Sequence, residues 1–192
     1  MKITGYSARV IRELYTHIAG GPTRLQASTR YIDYGNFEYV TPPSLQGSAL
    51  AVYQNMMKQI SDAAILLEKT YKVPREDVGM LLPLGMTSTV VIRTNLRHLI
   101  DMSHQRLCSR AYWEFRKLMK EIIEALAFYS DEWATIVKEL KLFKPKCEVL
   151  GFCPEDKTCK RKPINDVATR DALLAQYPFI VGVDLAPEVN TE

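Results

Sequence analysis

Polar side chains alternate along residues 23–31, whose sequence is TRLQASTRY. Arg24, Gln26, Ser28 and Arg30 occupy every second position, so in an extended chain all four would point to the same side. Two guanidinium groups beside an amide and a hydroxyl suit an anion and a nucleobase, because arginine binds phosphate or carbonyl oxygens while glutamine and serine direct hydrogen bonds. A solvated strand face with surface arginines is the alternative, since alternating polar residues are common on exposed strands.

A second group of candidate residues follows later in the chain: Asn95, Arg97, Arg106, Arg110 and Arg116. Asn95 stands at the start of a predicted helix, beside the unpaired amides of its first turn, and Arg106 and Arg110 are four residues apart, which predicts a shared face. Such a face can bind phosphates. The alternative is an exposed face on which Asp101 and Glu114 serve as ion partners.

The four cysteines form no recognisable metal motif. Cys147, Cys153 and Cys159 follow one another with five residues between them, and Cys108 stands alone in a helical pattern. A structural zinc site needs about four ligands, and the local segment offers three cysteines and no histidine. The sequence therefore predicts reduced thiols, with one disulfide as an option, and no metal site. The histidines His98 and His104 are interpreted as core or surface residues of one helix.

Several elements must position these residues. Hydrophobic periodicity predicts helices over residues 7–17, 44–71, 95–107 and 109–127, with shorter helices from Ser130 and over 171–176. The β-branched run TSTVVIRT predicts a strand over residues 87–94, and residues 23–41 are predicted to be loop and strand. Asn95 is a plausible N-cap. The chain shows no alternating strand–helix rhythm and no glycine-rich phosphate loop, so the predicted class is α+β, with helices packed around a small mixed or antiparallel sheet.

Composition narrows the function further. The chain has 192 residues, 47% of them apolar, and a net charge of +3. This near-neutral charge argues against a nucleic-acid partner. No stretch is long and apolar enough to cross a bilayer, and the N-terminus lacks the core of a signal peptide, so we expect a cytoplasmic protein without a membrane partner. We expect one main domain over residues 1–143 and a cysteine- and proline-rich extension over 144–192.

Two ordered blocks resemble the flavin-dependent thymidylate synthases. The run STRY, with a polar residue two positions before the serine, resembles the end of the family signature, in which RHR is followed some residues later by serine, any residue and arginine. Within residues 81–106 a Leu-Pro pair, a threonine, an Asn-x-Arg and a later arginine, followed by AYWEFR, resemble the family's downstream block. Together the two blocks cover roughly residues 7–126.

The resemblance implies methyl transfer from methylenetetrahydrofolate to dUMP, with FAD reduced by NADPH and no cysteine nucleophile. It also implies a homotetramer whose sites are built from several subunits. Ser28 and Arg106 would be the catalytic residues, and dUMP would be bound by Gln26, Ser28, Arg30 and Arg106. FAD would be bound by His17, Arg24, Asn95 and Asp101. Such a site works by positioning and fixed charge rather than by an activated thiol.

The sequence also departs from the family pattern. At the fixed spacing before Ser28, the family's RHR falls on Ile-Ala-Gly at residues 18–20, and a two-residue insertion recovers its central histidine as His17. A histidine at the end of a helix is the alternative interpretation of His17. Gly79 stands where the family has an arginine. The sequence starts near the signature, so we expect the family's N-terminal segment to be missing, or supplied by a partner.

These departures leave a second function open. A non-catalytic relative that binds a nucleotide, serves as a complementing subunit or acts on another pyrimidine nucleotide is the runner-up. A helical nucleic-acid-binding protein that uses the arginine-rich segment is a third possibility, which the low net charge disfavours.

Overall fold

The described part of the chain is built from helices and one three-stranded antiparallel sheet. The computed structural model describes residues 1–30, 33, 35–155 and 157–164. Its strands are β1 (Lys2–Ser7), β2 (Thr23–Gln26) and β3 (Thr87–Arg93), in the order β1-β3-β2. The helices are α1 (Ala8–Leu14), α2 (Gly47–Ile65), α3 (Arg75–Val78), α4 (Leu96–Arg106), α5 (Trp113–Tyr129), α6 (Asp131–Ala134) and α7 (Lys146–Leu150). This arrangement confirms the predicted α+β class with a small antiparallel sheet.

The central strand β3 forms where the β-branched run predicted it. Ser88, Val90 and Ile92 alternate along one face and are almost completely buried. The helices α1, α4 and α5 cover this face, with Leu14 and Phe115 among their fully buried side chains. One main hydrophobic core therefore joins the sheet to these three helices.

The first strand was missed by the sequence analysis. Ile3 and Tyr6 are both buried although they are three residues apart, which breaks the two-residue period of a strand. The pairing of β1 with β3 shifts between these two residues, and Gly5 between them has a φ of +74°. A bulge at this glycine turns both side chains to the core, and it hides the strand from pattern analysis.

Two predicted helix starts are confirmed and one is wrong. The Asn95 side chain accepts a hydrogen bond from the His98 amide at 2.9 Å, and the Ser130 hydroxyl accepts one from the Trp133 amide at 3.3 Å. The helix predicted to begin at Ser109 begins at Trp113 instead, because residues 107–112 turn between α4 and α5. The helix predicted over residues 171–176 lies outside the described residues.

The long helix predicted over residues 44–71 forms within this segment. The helix α2 covers Gly47–Ile65 and continues as one π-helical turn through Leu66–Thr70. Its buried residues are Met57 and Ala64, and Met57 packs with Phe37 and Met86 in a second, smaller cluster. Most of α2 is therefore exposed in the single chain.

A buried carboxylate links α5 to the start of α1. Glu114 is 2% exposed, and its two carboxylate oxygens accept hydrogen bonds from the Ser7 amide and the Ser7 hydroxyl, both at 2.7 Å. The same hydroxyl accepts from the Val10 amide at 3.2 Å and so caps α1. The alternative interpretation of Glu114 as an exposed ion partner is therefore wrong.

We expect Glu114→Gln to lower the free energy of unfolding by roughly 2 kcal/mol, because the amide keeps one acceptor and loses the charge that strengthens both buried hydrogen bonds. Urea denaturation of the variant measures this loss. Glu124→Gln, on the exposed side of the same helix, is the matched control and should change stability by less than about 0.5 kcal/mol. Equal effects of the two changes would contradict this role of Glu114.

Candidate functional site

A largely buried guanidinium forms the centre of the candidate site. The side chain of Arg106 is 19% exposed. Its Nε donates to Nε2 of His17 at 2.8 Å and its Nη1 donates to the Glu13 carboxylate at 3.0 Å. The guanidinium also lies 4.5 Å from the ring centre of Phe115. Arg106 thus joins the C-terminal end of α4 to the loop after α1, and its charge is balanced by Glu13.

His17 is held in its neutral form. It is 8% exposed, and burial lowers its pKa from 6.5 to about 4, with further lowering by Arg106, His98 and Arg24. Because Nε2 accepts the hydrogen bond from Arg106, the ring proton belongs on Nδ1. A histidine that stabilises a helix end does so as a cation. The helix α1 ends before this residue, at Leu14, so the helix-end interpretation is wrong.

Arg24 approaches the same loop from β2. It pairs with Ile92 in the sheet, and its Nη2 donates to the His17 carbonyl oxygen. Its guanidinium lies 5.1 Å from the ring centre of Tyr15. The Nε atom is buried and has no hydrogen-bond partner among the described residues. One donor of Arg24 is therefore left for another acceptor.

The loop after His17 is fixed against the first turn of α4. The side-chain amide of Asn95 donates to the Gly20 carbonyl oxygen at 3.5 Å, and Nδ1 of His98 contacts the Ala19 carbonyl oxygen. Gly20 has a φ of +77°, and a Cβ at this position would lie 3.1 Å from the Asn95 amide nitrogen. Glycine is required here both by the backbone conformation and by this close approach.

His98 belongs to this site, although it was predicted only to be a core or surface residue of its helix. It is 2% exposed, its ring centre lies 6.3 Å from that of His17, and its Nε2 is buried without a hydrogen-bond partner among the described residues. Its position one residue before the buried Leu99 and four before the buried Met102 is the sequence signal for an inward side chain. No such signal marks Glu13, whose partner lies 93 residues away.

Ser28 and Arg30 lie in the turn after β2 and have other partners than Arg106 and His17. The strand β2 ends at Gln26, which is exposed, and Ser28 begins a turn in which its hydroxyl accepts from the Arg30 amide at 3.2 Å. Arg30 is exposed and forms an ion pair with Glu76 of α3 at 3.0 Å. The prediction of one extended face from Arg24 to Arg30 is therefore wrong, because the strand stops after its fourth residue.

Gly79 lies beside the same turn. A Cβ at Gly79 would lie 3.5 Å from the side chain of Thr29, in ordinary contact. Both residues line a small cleft that is also lined by Glu68 and Arg75. In the wall of this cleft, Nη2 of Arg75 donates a hydrogen bond to the Glu68 carboxylate, with a donor–acceptor distance of 2.6 Å. A guanidinium therefore borders the space beside Gly79.

The predicted arginine face on one helix does not form. The helix α4 ends at Arg106, and Arg110 lies in the following turn, where it donates to the Lys157 carbonyl oxygen at 2.6 Å. Arg116 donates to backbone carbonyl oxygens of residues 109 and 111. Asp101 forms an exposed pair with Arg97 at 3.2 Å, as the ion-pair interpretation predicted. The arginines are separated because the chain turns between α4 and α5.

The fold and these contacts define an α+β protein with a buried arginine-histidine site where α1, β2 and α4 meet. A family model described as thymidylate synthase complementing protein matches residues 1–128. Among the described residues, no helix has the length and apolarity needed to cross a membrane.

The chain is similar in sequence to proteins named flavin-dependent thymidylate synthase, among them the following two. The protein from Nitratidesulfovibrio vulgaris is 30% identical over 181 residues, which cover 85% of this chain and 68% of the relative. The protein from Pyrococcus abyssi is 33% identical over 159 residues, covering 80% of this chain and 63% of the relative. The chain thus spans about two thirds of the length of these relatives.

A solved structure has the same fold. Thymidylate synthase X from Helicobacter pylori, whose crystal structure is described as containing FAD and dUMP, matches with a TM-score of 0.53 and 18% identity over 65% of each chain. The match to the family model and the similarity to the Nitratidesulfovibrio protein show the family. The chain belongs to the flavin-dependent thymidylate synthases.

We expect folding stability to fall as the pH drops from 6.5 towards 4. In this interval the unfolded chain protonates at His17 and the folded chain does not, so acid favours unfolding by up to about 2 kcal/mol. Urea denaturation at pH 7 and pH 4.5 measures the difference. His17→Gln removes this titrating group while other acid-sensitive groups remain, and its stability should depend less on pH. An identical pH dependence of the two proteins would contradict a neutral buried His17.

Proposed function

We propose that the chain transfers a one-carbon unit from methylenetetrahydrofolate to dUMP, producing dTMP, with FAD reduced by NADPH. The observation that carries this proposal is the buried cluster of Arg106, His17 and Arg24, which joins the two parts of the chain that resemble the family. Two donors or acceptors of this cluster and its neighbour His98 are buried without a partner among the described residues. Such groups are costly to bury unless a ligand satisfies them.

The proposed flavin site comprises His17, Arg24, Asn95 and Asp101. The unpartnered Nε of Arg24 can donate to an anionic group, and Asn95 holds the loop at Gly20 against the first turn of α4. The residues present therefore fit a flavin nucleotide. The bound flavin would supply the hydride, and the chain's own residues would bind it, orient it and keep charge near its phosphates.

The proposed dUMP site comprises Gln26, Ser28, Arg30 and Arg106. Ser28 and Arg106 would act on the substrate itself, with Ser28 donating a hydrogen bond and Arg106 stabilising negative charge. Within one chain, Arg30 pairs with Glu76 of α3, whereas Arg106 contacts His17 and Glu13. We therefore propose that Ser28 and Arg30 of one subunit complete a site with Arg106 of another.

Exposed apolar surface supports an oligomer, which we propose to be a homotetramer in the cytoplasm. On α2, Val52 and Met56 are 64% and 47% exposed. On the sheet, Leu25 and Val91 are directly paired and are 73% and 45% exposed. Apolar surface on a long helix and on a sheet face is typical of subunit interfaces. The assembly buries this surface and completes the sites.

The alternative function is nucleotide binding without catalysis, as a complementing subunit or on another pyrimidine nucleotide. Two observations favour it: the loop at residues 18–20 has no arginine, and Gly79 replaces one. Arg24 and Arg75 border these two places in the fold. We therefore favour the catalytic function, with these two arginines supplying the charge.

The visible absorbance spectrum of the purified full chain tests the proposal. We expect a bound-flavin spectrum after addition of FAD and a further change after addition of dUMP, because the two ligands occupy adjoining sites. Methyl transfer from labelled methylenetetrahydrofolate then separates the catalytic from the non-catalytic function. A protein that binds no flavin would contradict the proposal, and flavin binding without turnover would favour the alternative.

Replacement of Arg30 by alanine tests the dUMP site. We expect dUMP binding to weaken by about 2 kcal/mol, roughly 30-fold, the usual scale for a charge-assisted contact. Isothermal titration with dUMP in the presence of FAD measures this effect. Arg12→Ala, on the exposed side of α1, is the matched control and should bind dUMP like the unchanged chain. Equal affinities of all three proteins would remove Arg30 from the site.

A further inference from the structure

The four cysteines of the chain, which come from separate parts of the sequence, line one cavity. The cavity lies between the C-terminal end of α4, the helix α7 and the segment that follows it. Cys108, Cys147, Cys153 and Cys159 all border it, together with His104. The sequence predicted no metal site because three cysteines are too few. The fold supplies the fourth from the end of α4.

Contacts between these segments hold the cysteines near one another. Arg110, two residues after Cys108, donates to the Lys157 carbonyl oxygen at 2.6 Å. Cys159 lies beside Ser109, the residue that follows Cys108. Cys108 and Cys153 both lie near Cys147.

The turns of the C-terminal segment are specific although it has almost no core. Of the described residues between 144 and 164, the buried ones are Pro145, Cys147 and Cys153. The amide of Cys153 donates to the Pro163 carbonyl oxygen at 2.7 Å, which closes a loop around Cys159. A segment that buries so little apolar surface needs a cross-link or a metal ion to hold its fold.

The charges around the cavity fit an anionic centre. Arg110, Lys146, Arg161 and Lys162 line it, against Glu155. One Zn²⁺ ion with four thiolates carries a net charge of −2, which surrounding cations and hydrogen-bond donors stabilise.

We propose that Cys108, Cys147, Cys153 and Cys159 bind one structural Zn²⁺ ion. Binding exchanges four thiol protons for four zinc–sulfur bonds and changes no oxidation state. In the described part of the chain no group of three or more metal-binding side chains already surrounds one point. Zinc binding would require the cysteine side chains to turn into the cavity, so that each sulfur lies about 2.3 Å from the ion. This proposal is independent of the proposed reaction.

The zinc ion would help to position Arg106 of the candidate site, because Arg106 and Cys108 are close in sequence. Cys108 follows Arg106 by two residues, so a metal bound to Cys108 fixes the end of α4 to the C-terminal segment. Arg106 is thereby held towards His17 and Glu13. The role of the ion is structural, because all four of its coordination positions are filled by protein.

Elemental analysis and thiol titration of the full chain, purified without chelator, test the proposal. We expect about one zinc per chain, and four free thiols after denaturation in chelator, since a metal site keeps every cysteine reduced. Substitution by Co²⁺ should give the long-wavelength absorption of tetrahedral cobalt thiolate, beyond the flavin bands. These measurements on the unchanged chain need no variant to fold.

Two variants then identify the ligands. Cys108→Ser should reduce the bound zinc at least 10-fold under competition with a chelator, because it removes the ligand that the C-terminal segment lacks. His104→Ala is the matched control: His104 lies in the last turn of α4, four residues before Cys108, and lines the same cavity, so this variant should keep its zinc. Circular dichroism reports whether both variants keep the main fold.

Three results would overturn the proposal. The first is metal-free protein with fewer than four thiols, which would indicate a disulfide. The second is bound iron with inorganic sulfide, which would indicate a cluster in place of zinc. The third is zinc that Cys108→Ser retains and His104→Ala loses.

Discussion

Burial of the Arg106 guanidinium is the constraint on which the candidate site depends. A charged group removed from water needs partners in every direction, and Arg106 finds an acceptor in His17, a counter-ion in Glu13 and an aromatic face in Phe115. These partners come from α1, from the loop after it and from α5. The orientation of three elements is thereby coupled to one side chain.

The loop between α1 and β2 follows from the same constraint. His17 must remain neutral to accept from Arg106, and the chain then has to turn back into β2 within a few residues. Gly20 makes this turn possible, because it adopts a positive φ and leaves room for Asn95. The loop is thus fixed by the side chains of Asn95 and His98, which contact its carbonyl oxygens. Arg24 brings a guanidinium back to this loop from the neighbouring strand.

Local patterns predicted the elements whose side chains keep a regular period. The alternating burial of β3, the periodicity of α2 and the caps at Asn95 and Ser130 are properties of short sequence windows, so the sequence was sufficient for them. The strand β1 was missed because the bulge at Gly5 breaks the period. The face from Arg24 to Arg30 failed for a related reason, since nothing in the alternation marks the end of β2 after Gln26.

The sequence by itself determined the fold class and the family, whereas the residues that it assigned to ligands stay predictions. It did so because secondary structure and motif order are encoded in neighbouring residues. The tertiary structure alone decided which of these residues meet. Arg106 contacts His17 across 89 positions, and Cys108 reaches the cavity of Cys147, Cys153 and Cys159. Such encounters depend on how helices pack on the sheet, which no short stretch of sequence specifies.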